Sequence, residues 1–198
     1  MTPRLAKAII NGLMVALAVL SLAPLLWMAS VSFMQPGEAA HFPPPLLPSA
    51  PTLHNYHELF ARAGMGRYLL NSVLIASLTT AIGLLLNTMA GYAFAKLRFA
   101  GRDRVFQTML AALVIPAQVT MMPLFLMLKQ LGLVNSYAGA IVPGMAGIFG
   151  IFLVRQYARS IPDELLEAAR IDGAGEFRIF FQIVLPVLKP ILVTLAIF

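Results

Sequence analysis

Charged residues are absent from four long stretches of this chain, and the polar segments between them set its organisation. The uncharged runs are Ala8 to Gln35, Tyr68 to Ala95, Val105 to Leu128 and Ala138 to Val154. A helix rises 1.5 Å per residue, so the first run is long enough to cross a hydrocarbon core of about 30 Å. The pattern predicts spans at about 8–35, 68–95, 105–128 and 138–154, with the start of a fifth at about 187–198. Arg4 and Lys7 precede the first run. It exceeds the apolar stretch of a cleavable signal peptide and no A-x-A site follows it, so a retained span is expected. Pro24 is expected to kink it. The connector from Phe33 to Arg67 holds six prolines, including Pro43-Pro44-Pro45, which predicts extended polyproline structure. It ends in a short helix capped by Thr52, with Leu53, Tyr56, Leu59 and Phe60 placed for a membrane surface.

The segment from Ser160 to Pro186 breaks the apolar pattern with charges of both signs. Ser160 followed three residues later by Asp163 reads as a capping box, with Pro162 in the first turn and Asp163 and Glu164 at the positive end of the helix dipole. The helix is predicted to run to about Ile171. Leu165, Leu166, Ala168 and Ala169 then share one face, with Glu164, Glu167 and Ile171 on another. Asp172-Gly173-Ala174-Gly175 supplies the positive φ angles that end a helix. A second helix follows, with Phe177, Phe180, Phe181 and Val184 at i, i+3, i+4 and i+7 as its expected apolar stripe.

Glu167-Ala168-Ala169, Gly173 and Ile183-x-Leu185-Pro186 stand at the spacing of a known motif. Here the chain resembles the EAA loop of permease subunits of binding-protein-dependent ABC importers. The stretches IPAQVTMMPLF, from Ile115 to Phe125, and FLVRQYARSIPDELLEAARIDGAGEFRIF further resemble the carbohydrate-uptake branch. The resemblance implies an all-α, polytopic transmembrane helical bundle with the type I ABC importer permease fold, and a coupling loop over 155–186. It implies as partners a second permease subunit, a cytoplasmic ABC ATPase dimer, an extracytoplasmic solute-binding protein and a carbohydrate substrate. Glu167 would make an ion pair with a basic group of the ATPase, Ala168 and Ala169 would permit close approach, Gly173 would make the turn and Asp172 would add a polar contact; Ile183, Leu185 and Pro186 complete the motif. Family members continue through a complete fifth helix and a sixth, so a truncated chain or a fragment is expected. The readings left beside this one are a structural or assembly subunit and an importer of a polyol or sugar phosphate.

Composition agrees with lipid burial: 60% of residues are hydrophobic and 11% charged, well below the quarter usual in soluble proteins. The net charge of +6 does not point to nucleic acid, because the basic residues are spread among connectors without an aromatic-interleaved patch. It sets topology instead. With the amino terminus inside, eleven Lys and Arg residues lie on inner segments (Arg4, Lys7, Lys96, Arg98, Arg102, Arg104, Arg155, Arg159, Arg170, Arg178 and Lys189), against Arg62, Arg67 and Lys129 outside. A cytoplasmic amino terminus is therefore expected, in the bacterial inner membrane that the resemblance implies.

Candidate chemistry is sparse. There is no cysteine and no G-x-x-x-x-G-K-[ST] loop, and the spans hold no Asp, Glu or His. ATP hydrolysis is thus expected on a separate subunit, with no catalytic residue, metal or cofactor in this chain. His54, His57 and Glu58 are candidate metal ligands, but a three-residue spacing without a second ligand cluster favours ordinary interfacial side chains. Pro116 and Pro123 should break the third span, which makes Gln118 and Thr120 candidate pathway-lining residues, with Asn87 of the second span. A packed neighbour satisfying each polar group is the plainer alternative. Ser77 with Ala81, and Gly144, Gly147 and Gly150, read as close-packing faces.

Overall fold

The computed structural model describes residues 3–197 and divides into two compact units at Leu70/Asn71. The described residues are helical without any strand. Two helices are long and apolar enough to cross a membrane, and three bent helix pairs raise the number of candidate spans to five.

In the first unit, α1 (Pro3–Ser32) runs through Pro24 unbroken. The proline-rich connector is more ordered than extended polyproline. Trp27 Nε1 donates to the Pro45 carbonyl at 3.2 Å, Ser30 Oγ to that of Leu46 at 2.6 Å, and the Glu38 carboxylate accepts from the Gln35 and Ser49 amides. Asn55 Nδ2 donates to the carbonyls of Ser32 and Met34, and Met34 is buried beneath the connector. Polar groups at a helix end thus find partners in a chain that proline leaves poor in donors. In α2 (His54–Ala61), the Thr52 hydroxyl accepts from the His54 amide at 3.1 Å, although Leu53 occupies the cap position. Glu58 pairs with Arg62 at 2.8 Å.

The second unit is built on α3 (Met65–Lys96), whose residues from 71 onward belong to it. The contact face of α3 carries Gly83, Asn87 and Gly91 at intervals of four; the predicted pair Ser77 and Ala81 is exposed. α3 crosses α7 (Ile148–Ala158) where Gly91 meets Val154 and Asn87 meets Gly150, and no Cβ would fit at either glycine. α7 extends four residues past the predicted span end at Val154 because Arg155 is accommodated. Its Nε donates to the Phe94 carbonyl at 3.1 Å and its guanidinium lies 3.9 Å above the Phe106 ring.

The third span departs from expectation. α4 (Arg102–Ala112) and α5 (Ala117–Gln130) meet at 105°, with Pro116 as the residue preceding α5, while Pro123 sits inside an unbroken α5. One proline makes the whole bend, since Pro116 has the extended ψ of 135° that a helix cannot continue. α6 (Tyr137–Ile141) continues as a 3₁₀ turn (Val142–Gly144) and is bent by 40° from α7.

Beyond α7 come α8 (Asp163–Ile171), then a helix from α9 (Glu176–Ile179) through a π-helical turn (Phe180–Val184) to α10 (Leu185–Val187), and α11 (Lys189–Ile197), bent 72° from it. A core of Tyr92, Val154, Ala158, Ile161, Leu166, Ile179, Phe180, Val184 and Leu188 joins these elements to α3 and α7. The predicted aromatic stripe is corrected here: Phe177 and Phe181 are exposed, and the buried line is Ile179, Phe180, Val184 and Leu188. A π turn advances by more than four residues, which places Ile179 over Val184, five residues on, instead of Phe177 over Phe181.

Candidate functional site

The candidate site is the α8–α9 hairpin. Its start is not the predicted capping box. Ser160 Oγ donates backward to the Tyr157 carbonyl at 2.7 Å, and Asp163 is recruited by Lys96, so Pro162 precedes the helix without a side-chain cap. Its end follows the prediction at Gly173, with φ +79°; Gly175 keeps a negative φ of −73°. The Gly173 amide donates to the Arg170 carbonyl and the Ala174 amide to that of Ala169, at 3.0 and 2.9 Å. This is a Schellman closure, completed by apolar contact of Ala169 and Ala174 with the core.

α8 turns Leu166 and Ala169 inward, while Leu165 and Ala168 are exposed on the same side of the split as Glu167. The four apolar residues expected on one face therefore divide, since only an i, i+3 pair reaches the core. The motif divides likewise. Ile183 and Leu185 pack on the core and Pro186 is exposed beside them; Glu167, Ala168, Asp172 and Gly173 face out. Leu165, Ile171 (86% accessible), Phe177 (73%) and Phe181 are also exposed on this segment. No hydrogen bond or ion pair to the Glu167 side chain is found among the described residues.

Two polar ties hold the hairpin to the end of α3. Lys96 Nζ donates to the Ile161 carbonyl at 2.5 Å and to Asp163 Oδ1 at 2.6 Å, with its own side chain only 8% accessible. Tyr92 OH donates to Glu176 Oε2 at 3.1 Å, and Arg170 Nε donates to Glu176 Oε1 at 2.8 Å. The Lys96 hydrogen bond and charge hold the Asp163 carboxyl below the ordinary carboxylate value. The ion pair is therefore intact at neutral pH and is lost as pH falls through that lowered value, while the bond to the Ile161 carbonyl does not depend on it. Sequence reasoning missed Lys96, Tyr92 and Glu176. The available signal was Lys96 as the first charge after a 28-residue uncharged run, at the point where α3 meets the polar segment.

Lys96→Met is expected to loosen the hairpin while leaving the spans in place. It strips the donor from the carbonyl of Ile161, a residue only 3% accessible, at a cost of about 1–3 kcal/mol for a buried acceptor left unmade. Limited trypsin digestion of membrane vesicles checks this: cleavage after Arg170 and Arg178 should accelerate relative to the unchanged protein.

The three candidate pathway residues lie apart in kind. Asn87 Oδ1 accepts from the Gly147 amide at 3.0 Å at the start of α7, a helix-joining contact. It also borders a cleft of about 190 Å³ with Thr79, Thr80 and Gly144, where the buried Thr79 hydroxyl has no partner among the described residues. Gln118 and Thr120 are exposed in the first turn of α5, and Thr120 Oγ1 donates to the Ala117 carbonyl of its own helix.

Comparison with known proteins follows the same lines. Residues 87–198 match the family described as the binding-protein-dependent transport system inner membrane component. The diacetylchitobiose uptake system permease protein NgcG of Streptomyces coelicolor is 36% identical over 193 residues, covering 96% of this chain and 64% of that protein. The arabinooligosaccharides transport system permease protein AraQ of Halalkalibacterium halodurans is 42% identical over 151 residues, covering 76% of this chain and 54% of that protein. The chain thus spans less than two thirds of the length of these relatives. In fold it is similar to a chain of a bacterial ABC transporter involved in the import of the acidic polysaccharide alginate, with a TM-score of 0.86 at 24% identity over all of this chain and 70% of that one. The family match takes in the hairpin, its motif and the buried core that seats it, and the chain belongs to the inner-membrane components of binding-protein-dependent transport systems.

Proposed function

We propose that this chain is a permease subunit of an ATP-driven ABC importer for a sugar or related carbohydrate. In this reading the amino terminus is cytoplasmic and the segment 155–186 couples the spans to a cytoplasmic ATPase dimer. A second permease completes the pathway, and an extracytoplasmic solute-binding protein delivers the substrate. The observation that carries the reading is the hairpin itself. It leaves the Glu167 carboxylate exposed and without an ion pair among the described residues, next to the exposed Ala168, and its opposite side is bound rigidly to α3 by Lys96, Tyr92 and the shared core. A surface so held is suited to transmitting force. When the ATPase subunits close on ATP and carry α8 with them, the displacement passes through the ties to α3. It then passes to α7 across the Gly91–Val154 contact, as a rigid-body shift of packed helices. The carbohydrate class rests on what the two relatives' names say of those proteins. The cytoplasmic placing of the hairpin rests on the eleven-to-three distribution of basic residues. Asn87 and the Thr79–Thr80 cleft, with Gln118 and Thr120, are the groups assigned to the pathway, where hydroxyl and amide side chains suit a polyhydroxylated solute.

The test is recovery of the full-length, tagged subunit from its native membrane in mild detergent, with its partners identified by mass spectrometry. An ATPase with a phosphate-binding loop and a second multi-span permease are expected with the unchanged protein. Glu167→Lys should lose the ATPase at least tenfold while retaining the permease, because it reverses a charge at the contact. Recovery of neither partner with a well-expressed full-length subunit would favour a structural or assembly role.

A further inference from the structure

Arg170 follows Glu167 by three residues on α8, the spacing at which opposite charges pair on a helix surface. The structure directs it elsewhere. Arg170 Nε reaches across the Asp172–Gly175 turn to Glu176 Oε1 at 2.8 Å, and the other oxygen of Glu176 is held by Tyr92 OH at 3.1 Å. Glu176 is thus oriented from α3 and occupied on both oxygens, while Glu167 keeps no ion pair among the described residues. We propose that Glu176, oriented by Tyr92, is a positioning residue that withdraws Arg170 from Glu167 and so keeps the Glu167 carboxylate free for the ATPase.

This inference rests on the docking reading and adds a competition to it. Without Glu176, Arg170 has two outcomes, and both harm docking. It pairs with Glu167, which then must be released before a basic group of the ATPase can approach, or it stays unpaired and repels that group. A basic residue inside a docking helix is otherwise a liability. Its pairing partner beyond the turn removes that liability and also spans the Schellman closure at Gly173. The raised basicity of Arg170 has the Glu176 hydrogen bond as its largest cause, with Glu167 the weakest contributor named, in keeping with this division of the two carboxylates.

The experiment titrates the purified ATPase subunit, recovered as above, against the full-length permease in nanodiscs, unchanged and as four variants. Glu176→Gln should weaken binding about 1.4- to 2.3-fold, the range that an exposed i, i+3 ion pair of about 0.2–0.5 kcal/mol sets for a competitor. Tyr92→Phe should shift it in the same direction by less. The double variant Glu176→Gln with Arg170→Gln should regain the unchanged protein's affinity, since no cation is left to compete. Unaltered binding in Glu176→Gln overturns the proposal. So does a double variant no better than Glu176→Gln, because a tie that merely braced the turn is lost equally in both. Glu167→Gln separates the two layers. If it weakens binding while Glu176→Gln does not, the docking reading stands and this inference falls. If Glu167→Gln binds as well as the unchanged protein, docking through Glu167 falls and the competition falls with it.

Discussion

Gly173→Pro is expected to abolish coupled uptake while leaving the subunit in the membrane at its normal level. Gly173 has φ +79°, and proline is locked near −65°, so the turn between α8 and α9 cannot be retained. The substitution also removes the amide that donates to the Arg170 carbonyl at 3.0 Å, and moving the backbone displaces the Ala174 amide from that of Ala169. The local cost is about 3 kcal/mol or more. Because the Arg170–Glu176 pair bridges this turn, α8 should lose its setting relative to Glu176 and Tyr92 as well. Gly173→Asn is the matched control. Asparagine enters the left-handed region more readily than other side-chain-bearing residues, and nothing lies within 4 Å of an added Cβ at this site. Uptake by vesicles carrying the full-length assembled importer should be absent for the proline variant and largely kept for asparagine.

The second large effect is expected at Gly91→Leu. A Cβ there would stand 2.6 Å from both Val154 Cβ and Cγ1 and 3.0 Å from the Arg155 amide nitrogen, before the rest of the side chain is placed. α3 and α7 must separate. Overpacking of this kind costs about 1–3 kcal/mol, and the site is sensitive to it, because Tyr92 and Val154 both belong to the core that seats the hairpin. Arg155 would also move off the Phe94 carbonyl and the Phe106 ring. Thermal unfolding of the purified subunit should show a midpoint several degrees lower. Val154→Ala in the Gly91→Leu background should recover part of that loss. It cannot recover all of it, since the backbone nitrogen of Arg155 remains in the way.

What the sequence disclosed follows from the range over which each signal acts. Uncharged runs reveal apolar helices because lipid burial acts on every residue of a run, and α1 and α3 match theirs closely. The Gly173 turn was legible for a similar reason: a left-handed residue at a helix end is a local requirement with a local solution. Features decided by distant partners were not legible. Asp163 looked like half of a capping box until Lys96, 67 residues earlier, took its carboxylate. Glu176 gave no hint of Tyr92, 84 residues away. The aromatic stripe holds at Phe180 and Val184 but not at Phe177 and Phe181, because a 3.6-residue period does not carry across a π turn, and nothing in Phe180–Val184 marks that change of pitch. Pro123 carries the same message: a proline signals a lost hydrogen bond, but whether the helix bends there depends on its surroundings, and in this chain Pro116 takes the whole bend. That Glu167 and Ala168 of the motif lie exposed while its Ile183-x-Leu185 part packs on the core required the fold.

Coupling through the hairpin is tested most directly by ATP hydrolysis of the assembled full-length importer in proteoliposomes, with and without its substrate-loaded binding protein. Hydrolysis is expected to rise on addition of the loaded binding protein and to accompany uptake, with both responses lost in Glu167→Lys although the subunit remains inserted. Stimulated hydrolysis and uptake that persist unchanged in Glu167→Lys would contradict it, because the α8–α9 hairpin would then not be the element through which the ATPase drives the spans.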